Sequence, residues 1–310
     1  MRAMPRIVIP DDEPAVMQPS KAYEKLAGYD VRAYSDRPSG ADDLVARIGD
    51  AEIVINIRST SRFTAEVLAR CPMLRLISIW GTGTDNVDLA AAQARGIRVT
   101  NTPGVAAIAV AEHTLALILA VAKQLVHVDR QVRDQQWPRA MVTQLRGKTL
   151  GLIGTGAIGR EVASLARGIG MRVIAWTFHP QGDIAEWVRF DEVFRAADVV
   201  SVHVRLSSNT VQLIRREHFD LMKPTAMFIN TARGAVVKEL DLLDALRTNS
   251  IAGAGLDVFE NEPLPSGSPF FSLSNVVLTP HAAGITPETT EAGLALAIDN
   301  VISFIRDSRH

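Results

Sequence analysis

An α/β fold with two doubly wound parallel sheets is the class this sequence predicts, and two observations lead to it. Short apolar segments of strand character alternate with segments of helical spacing, the βαβα rhythm of parallel sheets covered on both faces. The rhythm runs twice, from Arg6 to Thr100 and again from Thr149 to Leu278, with a long apolar helix between the two series. At 310 residues the chain has room for two domains, each with its own core.

Composition narrows the class of partner. Apolar residues make up 47% and charged residues 22%, a globular balance. Lysine plus arginine (33) against aspartate plus glutamate (34) leaves a net charge of −1, which gives no electrostatic reason to expect nucleic acid or an anionic membrane. The single cysteine, Cys71, excludes an internal disulfide and a cysteine-based zinc site, and no metal is expected. The first apolar run, Ile7-Val8-Ile9, is too short for a leader or a membrane span. Val105 to Val126 is interrupted by Glu112, His113, Lys123 and Gln124, as in a buried helix. A soluble, cytoplasmic protein is expected.

In the first series, strands are predicted at Arg6–Ile9, Val31–Tyr34, Ile53–Ile57, Leu74–Ile79 and Arg98–Thr100. Helices are predicted at Pro19–Ala27, Ala41–Ile48, Thr64–Arg70 and Val87–Arg95. Asn101-Thr102-Pro103-Gly104 breaks the pattern and reads as a hinge. Ala106 to Gln124 follows as a helix apolar almost all round, expected to lie between two layers. Val126 to Trp137 continues as an amphipathic segment exposing Arg130, Arg133 and Asp134, most simply a solvated surface helix and otherwise an arm against a partner subunit. The Val105–Trp137 region as a whole leads to the expectation of a symmetric dimer.

In the second series the predicted strands are Leu150–Ile153, Arg172–Trp176, Val199–Val202, Ala226–Ile229, Ile251–Leu256 and Val276–Leu278. A last helix, Pro287 to Ile305, carries apolar residues at Leu294, Ile298, Val301 and Ile305. Two such units imply a cleft between them, where a nucleotide on one meets a small molecule on the other.

The nucleotide is indicated by Gly154-Thr155-Gly156-Ala157-Ile158-Gly159, a G-x-G-x-x-G turn between a strand and a helix. Gly154 permits the tight turn, Gly156 lets backbone approach a pyrophosphate, and Gly159 lets the helix pack close to its strand. The free N–H groups and positive end of the helix complete an anion site. An acidic residue is expected at the end of the second strand to bind the adenosine ribose. Thr177 stands there instead, which removes the usual repulsion of a 2′-phosphate, while no arginine follows immediately. The residues leave the cofactor's form open.

Four polar residues follow three strand-like runs of the same series: Arg233, then Asp257 and Glu262, then His281. Ligands of open α/β sheets bind beyond the carboxyl ends of the strands, so these residues are candidates to converge. Arginine grips a carboxylate or carbonyl oxygen with a planar fork, histidine supplies a proton, and a carboxylate on its far nitrogen keeps it oriented. Such a set suits reduction of a 2-oxo acid.

Six segments extend this reading. Gly81-Thr82-Gly83-Thr84-Asp85-Asn86-Val87-Asp88, Asn101 to Gly104, Gly154 to Gly159, Asn230-Thr231-Ala232-Arg233-Gly234, Gly255-Leu256-Asp257-Val258-Phe259 and Thr279-Pro280-His281 occur in that order. In this the chain resembles the D-isomer-specific 2-hydroxyacid dehydrogenases from about Ile53 onward. The resemblance implies a dinucleotide-binding Rossmann domain at residues 101–285 and a flavodoxin-like substrate domain at 1–100 plus 286–310. It implies a catalytic set of Arg233, His281 and Glu262, with Glu260 the less favoured carboxylate. The cofactor would be NAD, with NADP admissible because of Thr177. Ala157 and Ile158 would meet its pyrophosphate through their amides, and Asp257 with the backbone of Thr231 and Ala232 its carboxamide. His203 and Gly284 would lie beside it. The substrate carboxylate would meet the amides of Gly81, Thr82 and Gly83, with Arg58 and Ser59 on the opposite wall.

The sequence departs from one branch of the family. Many phosphoglycerate dehydrogenases carry an arginine two residues before that first glycine, and Ile79 stands there, followed by Trp80. The chain also ends at His310, short of an appended regulatory domain. Both departures favour a smaller oxo acid, of the glyoxylate, hydroxypyruvate or pyruvate type, over 3-phosphoglycerate. The alternative from another class is a dinucleotide-sensing interaction protein, like the corepressors similar to this family.

Overall fold

A computed structural model of the chain describes residues 4–57 and 60–308. The chain forms two compact units, one of residues 1–106 and 285–310, the other of residues 107–284.

The first unit contains β1 (Arg6–Ile9), β2 (Asp30–Ala33), α1 (Ala41–Ile48), β3 (Ile53–Asn56), α2 (Ala65–Ala69), β4 (Leu76–Ile79), α3 (Leu89–Ala94) and β5 (Arg98–Thr100). Its five strands are parallel in the order β2-β1-β3-β4-β5, the flavodoxin-like winding. Because side chains alternate along a strand, each strand feeds two cores. Val8, Val54 and Ile77 pack on one face, and Ile7, Ile9, Ile53, Ile55 and Leu76 on the other. The second face is closed from the far end of the sequence.

The second unit contains α4 (Ala107–Ala122), α5 (Leu125–Arg133), β6 (Thr149–Ile153), α6 (Ala157–Gly168), β7 (Arg172–Trp176), β8 (Glu186–Trp187), α7 (Phe190–Ala196), β9 (Val199–Val202), α8 (Arg216–Phe219), β10 (Met227–Asn230), α9 (Glu239–Arg247), β11 (Gly253–Leu256) and β12 (Val276–Leu278). Helix α10 (Pro287–Asp307) belongs to the first unit. Its Leu294, Ile298, Val301 and Ile305 are buried as their spacing requires, and Ala297 accepts a hydrogen bond from buried Ser78 Oγ at 2.8 Å.

The second sheet is parallel, in the order β12-β11-β10-β9-β6-β7-β8. The order reverses between β6 and β9, so a crevice opens there beyond the carboxyl ends of the strands. Leu150 and Leu152 face one core and Ile153, Val200 and Val202 the other.

The expected pattern of strands and helices is present, with three differences. The helix expected at Pro19–Ala27 is a 3₁₀ turn, Lys21–Leu26, capped by the Ser20 hydroxyl. β8 was not foreseen, because a two-residue edge strand has no periodicity to read. In α4, eight of sixteen residues are buried while Ile108 is exposed, so the helix covers the second sheet with one face rather than all round. Among the described residues no single helix is long and apolar enough to cross a bilayer; α4 and α5 reach that length only together and are bent by 59°.

Candidate active site

The glycine turn is built by close approach. Gly154 has φ +97, and a Cβ there would lie 2.7–2.8 Å from the backbone of His203 and Val204. A Cβ on Gly159 would lie 2.4 Å from the Gly154 carbonyl oxygen. A Cβ on Gly156 would meet nothing within 4 Å, so the outer side of the turn is open. Gly156 is the N-cap of α6 and contributes no side-chain cap, and the first-turn amides, those of Ala157 and Ile158 included, face the space where an anion fits. These residues fit a dinucleotide pyrophosphate.

Thr177 follows β7 and is partly exposed. His203 follows β9, level with Gly154 on the other side. Its Nε2 lies 2.9 Å from Ser201 Oγ, while Nδ1 is buried without a partner. Although the residue as a whole is partly exposed, burial of its ring pushes the imidazole down to about 3. The unfolded chain therefore takes up a proton below pH ~6.5 that the folded chain refuses. Stability is complete above that pH and falls on acidification, by at most about 1.4 kcal/mol per pH unit. In urea titrations between pH 6.5 and 5, His203→Asn is expected to flatten this slope. An unchanged slope would show that the ring stays hydrated.

At the other end of the sheet the expected polar residues come together in one cluster. His281 Nδ1 lies 2.7 Å from Glu262 Oε2, and Glu262 Oε1 accepts the Phe259 N–H at 2.9 Å. An ionised carboxylate only accepts, so Nδ1 carries the proton of that bond and Nε2 is left for other chemistry. Burial pushes the Glu262 carboxyl up, but the His281 hydrogen bond and charge, the Phe259 N–H and the Arg233 charge outweigh it and hold the group below its ordinary range. Glu260 is turned elsewhere: its backbone N–H donates to Glu239 Oε2 at 2.9 Å, and its carboxylate accepts the Glu239 N–H at 3.3 Å.

Asp257 organises the segment that carries His281. It is 1% exposed, and its carboxylate accepts Thr279 Oγ1 at 2.6 Å and the Ala282 and Ala283 amides at 2.9 and 3.0 Å. Its carbonyl accepts the His281 N–H at 2.7 Å, and His281 itself has φ +53. His113 Nε2 reaches Thr279 Oγ1 at 3.0 Å; since that hydroxyl donates to Asp257, His113 is the donor. Gly284 lies in the turn that follows. The carboxylate expected to face a cofactor amide is thus also an internal brace, as its near-complete burial demands.

Arg233 leaves β10 in extended conformation, with Nη1 on the Ala232 carbonyl at 2.8 Å. Buried Asn230 brackets it, accepting the Ala232 N–H at 3.0 Å and donating to the Arg233 carbonyl at 3.1 Å. Both backbone groups of Ala232 thus have partners within the protein. Thr231 Oγ1 shares a hydrogen bond with Thr114 Oγ1 of α4 at 2.9 Å. Asn230 and Thr279 stand in the segments quoted above, but their partners, like that of His113, are contacts that only the fold creates.

In the first unit, Arg58 and Ser59 lie outside the described residues. Gly81 differs from expectation. Its amide is taken by Thr102 Oγ1 at 2.8 Å, a hydroxyl the sequence places 21 residues away. The Thr82 and Gly83 amides have no acceptor among the described residues. Ile79 ends β4 with its side chain in the core, 3% exposed. Trp80 packs on α10, where a Cβ at Gly293 would lie 2.1 Å from its indole nitrogen.

A Rossmann-type sheet with an open glycine turn, and an arginine and a histidine–carboxylate pair among its strand ends, defines a dinucleotide-dependent oxidoreductase. The chain belongs to the D-isomer specific 2-hydroxyacid dehydrogenases, whose NAD binding domain matches residues 115–283. It is 38% identical over 282 residues to a glyoxylate reductase of Korarchaeum cryptofilum, covering 87% of this chain and 85% of that protein. It is also 38% identical over 268 residues to a D-3-phosphoglycerate dehydrogenase of Archaeoglobus fulgidus, covering 84% of this chain and 51% of that one. An acyclic imino acid reductase solved with NADPH and D-Arg superposes with a TM-score of 0.90 at 29% identity, covering 97% of each chain. The protein is accordingly a nicotinamide-dependent oxidoreductase acting on small 2-oxo or 2-hydroxy acids.

Proposed function

We propose that this enzyme reduces a small, unphosphorylated 2-oxo acid, glyoxylate foremost, to the 2-hydroxy acid. The observation that carries the reading is the 2.7 Å bond between His281 Nδ1 and Glu262 Oε2, which holds an imidazole with its second nitrogen available for proton transfer. A nicotinamide dinucleotide, which the Gly154–Gly159 turn would hold, would supply the hydride chemistry at C2. His281 delivers the proton to the carbonyl oxygen from Nε2, so that C=O becomes H–C–O–H. Glu262 orients the ring and stabilises the charged imidazolium between turnovers. Arg233 grips the carboxylate and polarises the carbonyl. Thr82 and Gly83 offer amides for the substrate carboxylate, with Arg58 and Ser59 kept as further candidates. The Gly154–Gly159 turn, Thr177, His203, Thr231, Asp257 and Gly284 form the proposed cofactor side.

Glyoxylate is preferred because relatives of nearly the same length carry that activity in their names. The core location of Ile79 agrees, since it leaves no side chain there for a phosphate. The test is steady-state reduction of glyoxylate, hydroxypyruvate, pyruvate and phosphohydroxypyruvate. The largest kcat/KM is expected with glyoxylate, and efficient use of phosphohydroxypyruvate would overturn the preference. The corepressor-like alternative is not favoured, because the relatives are reductases.

A homodimer is proposed from α5 and the segment after it. No residue of α5 is buried, and Leu125, Val126, Val132, Trp137 and Met141 are exposed, Trp137 by 83%. Exposed apolar side chains gathered in one stretch of chain suit self-association. Sedimentation should give twice the chain mass, and a monomer at micromolar concentration would refute it. A cytoplasmic location is proposed from the lone thiol of Cys71, which is buried in the first unit's core.

A further inference from the structure

We propose that the second unit selects the 2′-phosphorylated form of the nicotinamide dinucleotide, with Arg205 holding the phosphate of the adenosine ribose. The inference rests on the nicotinamide-dependent reading above and names the form of the cofactor.

Register carries it. Ile153 of β6 pairs with Trp176 of β7 on one side and with Val202 of β9 on the other. Thr177 and His203 are therefore level with Gly154. The Gly154 N–H donates to the Trp176 carbonyl at 2.8 Å, and the Gly154 Cα faces the His203–Val204 peptide closely enough to exclude a Cβ. The exits of β7 and β9 thus flank the glycine turn, two strand spacings or ~10 Å apart. A pyrophosphate on the turn brings the adenosine ribose to the exit of β7. A carboxylate there selects the 2′-hydroxyl, and an arginine nearby accommodates a 2′-phosphate.

Neither strand is followed directly by a carboxylate: Thr177 to Gly182 contains none before Asp183, and His203 to Leu213 contains none. The one guanidinium in these two segments is Arg205, exposed and without an ion pair among the described residues. Its backbone is held firmly. The Thr210 hydroxyl, 3% exposed, donates to the Arg205 carbonyl at 2.6 Å and accepts the Ser207 N–H at 2.8 Å. Exposed Ser207, Ser208 and Asn209 follow on the same turn and add neutral donors. On the other side Phe178 packs edge-on against Trp176, centroids 4.8 Å apart, which steadies the β7 exit. A fixed turn presenting a planar fork of donors, with no carboxylate in the residues that directly follow either strand, is the chemistry of a phosphate site.

Calorimetric titration of the full chain with NADPH, NADH, 2′,5′-ADP and 5′-ADP reads binding apart from turnover. NADPH is expected to bind at least about tenfold tighter than NADH, and 2′,5′-ADP tighter than 5′-ADP. Arg205→Gln should weaken NADPH and 2′,5′-ADP by about 10- to 100-fold and leave NADH within about twofold. Thr177→Asp, which restores the ribose carboxylate, should turn the preference toward NADH. Wild-type preference for NADH, or an Arg205→Gln loss shared equally by both dinucleotides, would overturn the assignment. Failure of both dinucleotides to bind the wild-type chain would overturn the glycine-turn reading as well.

Discussion

His281→Ala is expected to lower kcat for the preferred oxo acid by about 10²- to 10⁴-fold, the usual worth of a positioned general acid. The fold should survive. The His281 ring is partly exposed, and the main-chain bond that holds its segment, from its N–H to the Asp257 carbonyl, does not involve the side chain. Glu262→Gln keeps the shape and removes the charge, so it should lose a smaller part of the rate. Because Glu262 acts through His281, the double variant should be scarcely slower than His281→Ala alone. Additive losses would show that Glu262 acts independently of His281, and near-wild-type turnover of His281→Ala with an unchanged melting temperature would remove His281 from the chemistry.

Gly234→Ala is the second large effect, and it arises from packing. A Cβ at this position would lie 1.9 Å from the Phe259 carbonyl carbon, 2.1 Å from its oxygen and 2.4 Å from the Glu260 nitrogen. The obstacle is main chain, which no rotamer change relieves. It is also the main chain that leads to Glu262 and donates the Phe259 N–H to its carboxylate. The variant is expected to lose about 3 kcal/mol or more in urea unfolding. The activity that remains should be poor, because Arg233 and Glu262 are pushed apart together. Gly168→Ala is the control. It lies in the last turn of α6 with nothing within 4 Å of its Cβ, and replacement there should be neutral or stabilise by up to ~1 kcal/mol. Equal stabilities of Gly234→Ala and Gly168→Ala would contradict the crowding.

Much of this was legible in the chain because the signals are local. Short apolar runs mark β1, β3, β6 and β9, and the apolar spacing at Leu294, Ile298, Val301 and Ile305 marks α10. The glycine turn is a single contiguous motif whose strand and helix are its immediate neighbours. Arg233, Glu262 and His281 were candidates because each follows a strand, and all parallel strands end on one side of their sheet.

What the sequence by itself determined is therefore the order of elements, the parallel winding and the edge of the sheet on which chemistry gathers. The tertiary structure decided what happens between residues far apart in the chain. It brought Glu262 rather than Glu260 to His281, gave the Gly81 amide to Thr102, and turned Ile79 and Trp80 into packing residues. It also set the His203–Val204 peptide against a glycine turn about fifty residues earlier. The reason is the same in each case. Periodicity and turns report interactions along a few residues of backbone, whereas a hydrogen-bond partner or a neighbouring strand end is chosen by the register of the sheet.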